Sequence, residues 1–258
     1  MAAKSLDWKA VVKSTGLRLV VMMVGLYLVS GILEPNYLQP SHIMSTLVLC
    51  CFLGIICIGQ TLIILTGGAD LSVAYSVTFS ACVFAQTTKE TGNGWIGFAA
   101  AMLVGVLMGL FKGVGVAYLK ITPMVMTLAT NSILMSATFL YTQGVLKGES
   151  TAVVTALAKD SFLGIRYCVL LWVALGIATI FLLKKTTFGR KIFAVGCSPR
   201  VTDLSGINTR VVLVGVYVIA SVMMAVAGIL LIGHLGYPNY TMGDSYQLIS
   251  IAAVVIGG

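Results

Sequence analysis

Residues 64–76 read ILTGGADLSVAYS, and this stretch separates two apolar segments. The Gly67–Gly68 pair removes side-chain packing and helix preference where the first segment ends. Asp70 or Ser72 can then cap a new helix by accepting hydrogen bonds from its free N–H groups. Two structures fit this pattern. One is a tight turn at the water interface, and the other is a discontinuous helix whose loose backbone is covered by protein or by a water-filled cavity.

The composition indicates a membrane protein. The 258 residues are 59% apolar and 9% charged, with a mean hydropathy of +1.03. An ordinary soluble domain has about 25% charged residues, so this chain cannot cover a globular surface with charge. The net charge of +8 is therefore attributed to cytoplasmic loops and not to nucleic-acid binding.

Apolar segments along the chain predict an all-α, polytopic transmembrane helical bundle with about eight spans. They cover residues 17–33, 43–66, 71–87, 95–119, 122–142, 167–183, 211–232 and 247–258, with a broken or re-entrant helix near 67–70. Residues 1–258 are interpreted as one transmembrane domain. Lysine and arginine are concentrated in residues 1–18 and 184–210, which predicts a cytoplasmic N-terminus.

The fourth and fifth spans carry distinctive side chains. Small residues recur every four positions in the fourth span and predict close helix packing: Gly97, Ala101, Gly105, Gly109, Gly113 and Ala117. Lys112, beside this stripe, is expected to extend to the membrane interface, and a buried functional ammonium is the alternative. The fifth span has Thr127, Asn131 and Thr138 on one face, and these side chains either bond neighbouring helices or line a polar pathway.

Residues for covalent chemistry are not recognisable in the sequence. There is no phosphate-binding GxxxxGK[ST] motif and no HExxH motif, and the six cysteines form no CxxC pair. The two histidines, His42 and His234, are expected at loop positions. No catalytic residue, metal site or cofactor is therefore predicted, and an intramembrane enzyme, which needs a buried base beside a nucleophile, is disfavoured.

Four blocks of sequence resemble one family. ILTGGADLSV at 64–73 is similar to the ILTxGIDLSVG signature of the ribose/arabinose/xylose-type ATP-binding cassette sugar permeases. Three further stretches resemble later blocks of that family in the same order: GLFKGVGVAYLKITPMVMTLAT at 109–130, TTFGRKIFAVGCSPRVTDLSGIN at 186–208, and TMGDSYQLISIAAVVIGG at 241–258. Together they extend over roughly residues 40–258.

The resemblance implies an inner-membrane permease subunit without an ATPase site of its own. Its expected partners are a second permease, a cytoplasmic ATP-binding cassette ATPase and a periplasmic or lipid-anchored solute-binding protein. A sugar-like solute would cross by alternating access at the permease dimer interface. The candidate pathway residues are Asp70, Ser72, Thr127, Asn131 and Thr138. The residues expected to dock the ATPase are Gly189, Arg190, Gly196, Asp203, Leu204, Ser205 and Gly206. A stand-alone secondary carrier is the alternative.

The sequence departs from the family pattern at several positions. Lys112 stands where the family usually has asparagine. Val201, Thr202 and Asp203 replace a pair of small residues and an arginine. Gln247 and Ile249 replace the acidic pair of the last block. Family members continue past the final Gly-Gly, so the chain, which stops at Gly258 within an apolar segment, is expected to be truncated at its C-terminus.

Overall fold

The computed structural model describes residues 15–162 and 164–258. Most of the basic tail expected at 1–18 therefore lies outside the described residues. The described part is all-α apart from one minimal hairpin, which confirms the expected fold class. Its eleven α-helices are α1 (Thr15–Leu33), α2 (Pro40–Leu65), α3 (Val73–Thr91), α4 (Gly94–Ala117), α5 (Pro123–Thr142), α6 (Ala152–Lys159), α7 (Tyr167–Lys185), α8 (Thr187–Cys197), α9 (Pro199–Leu204), α10 (Thr209–Leu235) and α11 (Tyr246–Gly257).

Short elements join these helices. A 3₁₀ helix, Pro35–Leu38, connects α1 and α2. Two antiparallel strands, β1 (Ser161–Phe162) and β2 (Ile165–Arg166), form the hairpin between α6 and α7. The sequence predicted only a polar loop over 143–166, and α6 lies within that range.

Capping and proline positions explain where several helices begin. Proline occupies the first turn of α2, α5 and α9, where its missing N–H is not needed. Side-chain oxygens cap five helices, at Asn93, Thr151, Thr186, Ser198 and Asn208. These helices thus start at positions that local chemistry favours.

Five of the helices are long and apolar enough to cross a membrane: α2, α4, α5, α7 and α10. Residues 20–33 of α1 and the whole of α11 are apolar but shorter. The third expected span, residues 71–87, corresponds to α3, which is not among the five candidate spans. Its first four turns carry several hydroxyl groups, and nearly every side chain there is buried by neighbouring helices.

Helix α10 is the centre of the bundle and packs against α2, α3 and α4. The small-residue stripe of α4 faces it directly. A Cβ added at Gly109 would collide with the backbone of Val218, and one added at Gly113 would lie 2.8 Å from the Cα of Val214. The predicted tight packing of α4 is therefore confirmed, with α10 as the partner.

The predicted break separates α2 from α3 and consists of residues 66–72. A Cβ on Gly68 would lie 3.0 Å from the Tyr217 hydroxyl, and one on Gly228 would meet the carbonyl of Val77. Tyr217 and Gly228 are separated by about 16 Å along α10, at 1.5 Å per residue, and neither lies at a helix end. The break and the first turns of α3 therefore lie beside the interior of α10.

Candidate functional site

A buried ion pair lies at the centre of the break. Lys112 Nζ is 2.6 Å from Asp70 Oδ2 and 2.9 Å from Ser72 Oγ. Both charged side chains are 0% exposed. The expectation that Lys112 extends to the interface is wrong. A carboxylate lies within reach of its ammonium, and pairing there removes the need to extend to water.

The other carboxylate oxygen of Asp70 is also occupied. Asp70 Oδ1 accepts hydrogen bonds from the backbone N–H of Ser72 at 2.7 Å and from Ser72 Oγ at 2.6 Å. Ser72 Oγ also lies 3.1 Å from Ser76 Oγ. The expected role of Asp70 or Ser72 as the side-chain cap of α3 is not observed, because neither side chain accepts a hydrogen bond from a backbone N–H group in the first turn of that helix.

Helix α5 satisfies the free N–H groups of the break instead. Thr127 Oγ1 accepts a hydrogen bond from Leu71 N at 3.0 Å, and Asn131 Oδ1 accepts one from Tyr75 N at 3.3 Å. Two pairs with the same sequence offset show that α3 and α5 run parallel. Of the two roles open for this polar face, bonding to a neighbouring helix is the one that these two side chains perform.

Helix α11 also contacts the break. Gln247 at the start of α11 donates from Nε2 to the Leu71 carbonyl at 2.8 Å. An amide can make this bond and a carboxylate cannot, so the departure from the family's acidic residue matches the local chemistry. On the opposite side, Gly67 adopts φ +82°, a conformation that strains other residues and lets the chain turn away from α2.

The structure brings together four of the five candidate pathway residues. Asp70, Ser72 and Thr127 are buried at the break, and Asn131 is half-buried beside it. Thr138 is also buried, but it lies about 10 Å further along α5 and donates to Leu134 O within its own helix. Sequence reasoning missed Lys112 and Gln247 as members of the site. The isolated Asp70 beside a packed lysine-bearing helix was the signal for the ion pair.

The basic segment 186–208 folds into α8 and α9. Its glycines permit close contacts: a Cβ on Gly189 would meet the Leu183 carbonyl, and one on Gly196 would meet the Leu65 carbonyl at the end of α2. Gly206 has φ +78°. Ile192 and Val195 are buried against α2 and α10.

The outer surface of this segment is exposed and mixed in character. Arg190, Asp203 and Ser205 are exposed, and Leu204 is 83% exposed. The Thr209 side chain, and then its backbone N–H, which donates to Oδ1 at 3.1 Å, hold the pKa of the Asp203 carboxyl below its ordinary value, and the nearby Arg210 acts in the same direction. Asp203 thus ties α9 to the start of α10 and also faces solvent.

The two histidines lie at helix ends. His42 and His234, expected in loops, lie in the first turn of α2 and the last turn of α10. Across residues 15–162 and 164–258, no group of three or more His, Cys, Asp and Glu side chains is placed to hold a metal ion.

Comparison with known proteins gives one family. The family model described as "Branched-chain amino acid transport system / permease component" matches residues 42–258. The chain is 32% identical to a ribose import permease protein of Bacillus subtilis (strain 168), over 90% of this chain and 73% of that protein. It is 31% identical to a ribose import permease protein of Escherichia coli (strain K12), over 93% and 76%. It is 29% identical to an L-arabinose ABC transporter permease protein of Azospirillum brasilense, over 93% and 71%. No solved structure matches.

A helical bundle with several apolar spans and a protein-covered helix break defines a multi-pass membrane permease. The chain belongs to the matched permease family, within which it is an ATP-binding cassette importer subunit of the ribose/arabinose type. These relatives support an importer subunit and not the alternative, a stand-alone carrier.

Proposed function

We propose that this chain carries a sugar or sugar-like solute inward across the bacterial inner membrane, by alternating access at the interface of two permease subunits. The observation that carries the proposal is the match to import permeases named for ribose and L-arabinose, over nine-tenths or more of the chain. Other relatives are named as fructose and galactose import permeases, which supports monosaccharides as the class of solute.

The energy for transport comes from ATP hydrolysis in a partner subunit. The exposed surface of α8 and α9 is the proposed dock for that ATPase, through Gly189, Arg190, Gly196, Asp203, Leu204, Ser205 and Gly206. Support comes from the exposed Leu204 at the end of α9, which lies between the exposed Arg200 and Arg210 in the sequence. The basic side chains also favour a cytoplasmic position for α8, α9 and the N-terminus. A periplasmic or lipid-anchored binding protein would deliver the solute from the opposite side.

The candidate pathway residues divide into two proposed roles. Asp70, Ser72 and Thr127 support the wall of the pathway from behind, since each is buried and already hydrogen-bonded. Asn131 is half-buried and uses its carbonyl oxygen on Tyr75 N, so its amide N–H groups are the ones proposed to face solute hydroxyls. Thr138 is buried and hydrogen-bonded in the same way, so it would support the wall from behind further along α5.

Reconstitution tests this function. The permease, its cognate ATPase and its cognate binding protein are incorporated into proteoliposomes and offered radiolabelled ribose, arabinose, galactose and fructose. We expect uptake of at least one sugar that requires ATP and both partner proteins. A complex whose ATPase carries an inactivating substitution in its nucleotide site is the control. Uptake by the permease alone, without ATP, would instead establish a secondary carrier.

A further inference from the structure

We infer that Lys112 and Asp70 act as one positioning unit, which holds the helix break in its transport-competent geometry without touching the solute. The inference rests on the proposed transport function and adds a role for a lysine that the family pattern does not contain. Lys112 is on α4 and Asp70 is in the break, so the pair joins two parts of the chain that are 42 residues apart.

The Asp70 and Lys112 side chains are fully buried, and the hydrogen bonds around them are made within the protein. The ammonium of Lys112 has two oxygen partners, Asp70 Oδ2 and Ser72 Oγ. The second oxygen of Asp70 accepts from the amide and hydroxyl of Ser72. Because both charged side chains are 0% exposed, neither offers a free atom to a passing solute. Direct solute binding by this carboxylate is therefore disfavoured, and a positioning role remains.

The electrostatics make the two side chains interdependent. A charge that stays buried after its partner is removed is strongly unfavourable, whereas removing both charges together is often tolerated. Neutralising Lys112 alone would leave the Asp70 carboxylate without a counter-charge in a closed site. Neutralising Asp70 alone would leave the ammonium in the same position. The double neutral variant removes both problems, so the two substitutions should be markedly non-additive.

The position of the pair explains why transport should depend on it. Residues 66–72 have no helical hydrogen-bond ladder of their own to fix them. Lys112 supplies the charged tie between this segment and α4, and α4 packs closely on the central helix α10 through Gly109 and Gly113. Movement of α4 and α10 during the cycle is therefore transmitted to the break through this pair.

The test compares single and double neutral variants in the reconstituted complex. Asp70→Asn, Lys112→Met and the double variant are measured for maximal uptake rate, for KM of the solute-loaded binding protein, and for thermal melting of the complex. Lys89→Met and Asp160→Asn are matched controls, because both side chains are exposed and lie outside the site.

We expect each single variant to lower the maximal rate by about tenfold or more, while the double variant recovers to within about threefold of the unmutated complex. KM should stay within about twofold throughout, because the pair does not contact solute. If a single variant fails to assemble, the melting temperatures of the purified permease variants carry the same pattern, with the double variant above both singles.

Two outcomes overturn the positioning unit. One is a double variant as impaired as the sum of the singles, in rate and in melting temperature. The other is a large change in KM at a normal maximal rate, which would make Asp70 or Lys112 a solute contact. Absence of ATP-dependent uptake by the unmutated complex would overturn the proposed function itself, and this result is distinguishable from the first two.

Discussion

At the scale of single residues, Gly196 is the clearest steric constraint on the α8–α2 contact. A Cβ there would overlap the carbonyl oxygen of Leu65, the last residue of α2. The carbonyl belongs to a helix end and cannot rotate away as a flexible side chain could. The contact joins the proposed ATPase dock to the helix that leads into the break.

We expect Gly196→Ala to destabilise the protein by about 1–3 kcal/mol through overpacking. The matched control is Gly176→Ala in α7, where an added Cβ meets nothing within 4 Å. Melting temperatures of the two variants in the same detergent provide the measurement. Equal stability of Gly196→Ala and the unmutated protein would show that α8 does not pack on α2 this closely.

The ion pair shows what residue-level reasoning from sequence can and cannot reach. Gly67, Gly68 and Asp70 marked the break correctly, because the conformational effects of these residue types are local. The partner of Asp70 was not found, because the choice for Lys112 between water and a carboxylate depends on how α4 rotates against the break. Rotation of one packed helix against another is set by tertiary contacts and not by local pattern.

At the scale of elements, side chains of α5 provide hydrogen-bond acceptors for the start of helix α3. Thr127 and Asn131 accept hydrogen bonds from the backbone N–H groups of Leu71 and Tyr75. In most helices a capping residue next to the helix start provides these acceptors. The parallel alignment of α3 and α5 makes this possible, since residues four apart on one helix meet residues four apart on the other.

Removing the Thr127 hydroxyl should therefore weaken the start of α3. We expect Thr127→Val to lower the free energy of unfolding by about 1–3 kcal/mol, because the amide of Leu71 loses its acceptor. Thr127→Ser keeps the oxygen and should cost less. Melting of the purified variants provides the measurement, and a valine variant as stable as the serine variant would contradict the role of Thr127 as a cap.

The junction of α9 and α10 carries a pH-dependent prediction. The pKa of Asp203 is lowered by hydrogen bonds from Thr209, so its ionised form stabilises the junction. That contribution is complete above the ordinary aspartate pKa of about 3.9 and is lost as the pH falls through the lowered value. Hydrogen exchange of peptides covering 199–212 should show protection at neutral pH that declines only below about pH 4.

Asp203→Asn is the control for this pH prediction, because an amide oxygen can still accept a hydrogen bond and does not titrate. The variant should show no acid step in the protection of these peptides. An identical acid step in the unmutated protein and the variant would mean that another group controls the junction.

Element boundaries were predictable to a different degree in different parts of the chain. The apolar segments gave the long helices because lipid-spanning length and composition are strong local signals. Helix α6 was missed because it is only eight residues long and charged residues flank it in the sequence. Its Val154 and Ala158 are buried against Gly233 of α10, a contact distant in sequence. The compact pair α8 and α9 likewise depends on contacts with α2 and α10 that are distant in sequence.

At the scale of the whole molecule, α10 separates the two proposed working ends. Ser205 lies just before its first residue and Tyr237 just after its last, so about 40 Å of helix lies between them at 1.5 Å per residue. The break, the small-residue stripe of α4 and the dock of α8 and α9 all contact this helix or adjoin it. ATP-driven movement at one end therefore has a continuous packed route to the break.

ATP-driven import requires that the two ends lie on opposite sides of the membrane and that the ATPase binds at one of them. Cysteine crosslinking and labelling test this arrangement most directly. Ser205→Cys and Tyr237→Cys are made singly in a background with Cys50→Ser and Cys197→Ser, because these two thiols are exposed. The expected result is that Cys at 205 crosslinks to the ATPase in assembled membranes and resists impermeant thiol reagents added outside, while Cys at 237 is labelled from outside. External labelling of position 205 without capture of the ATPase would contradict the proposed topology and the ATPase dock.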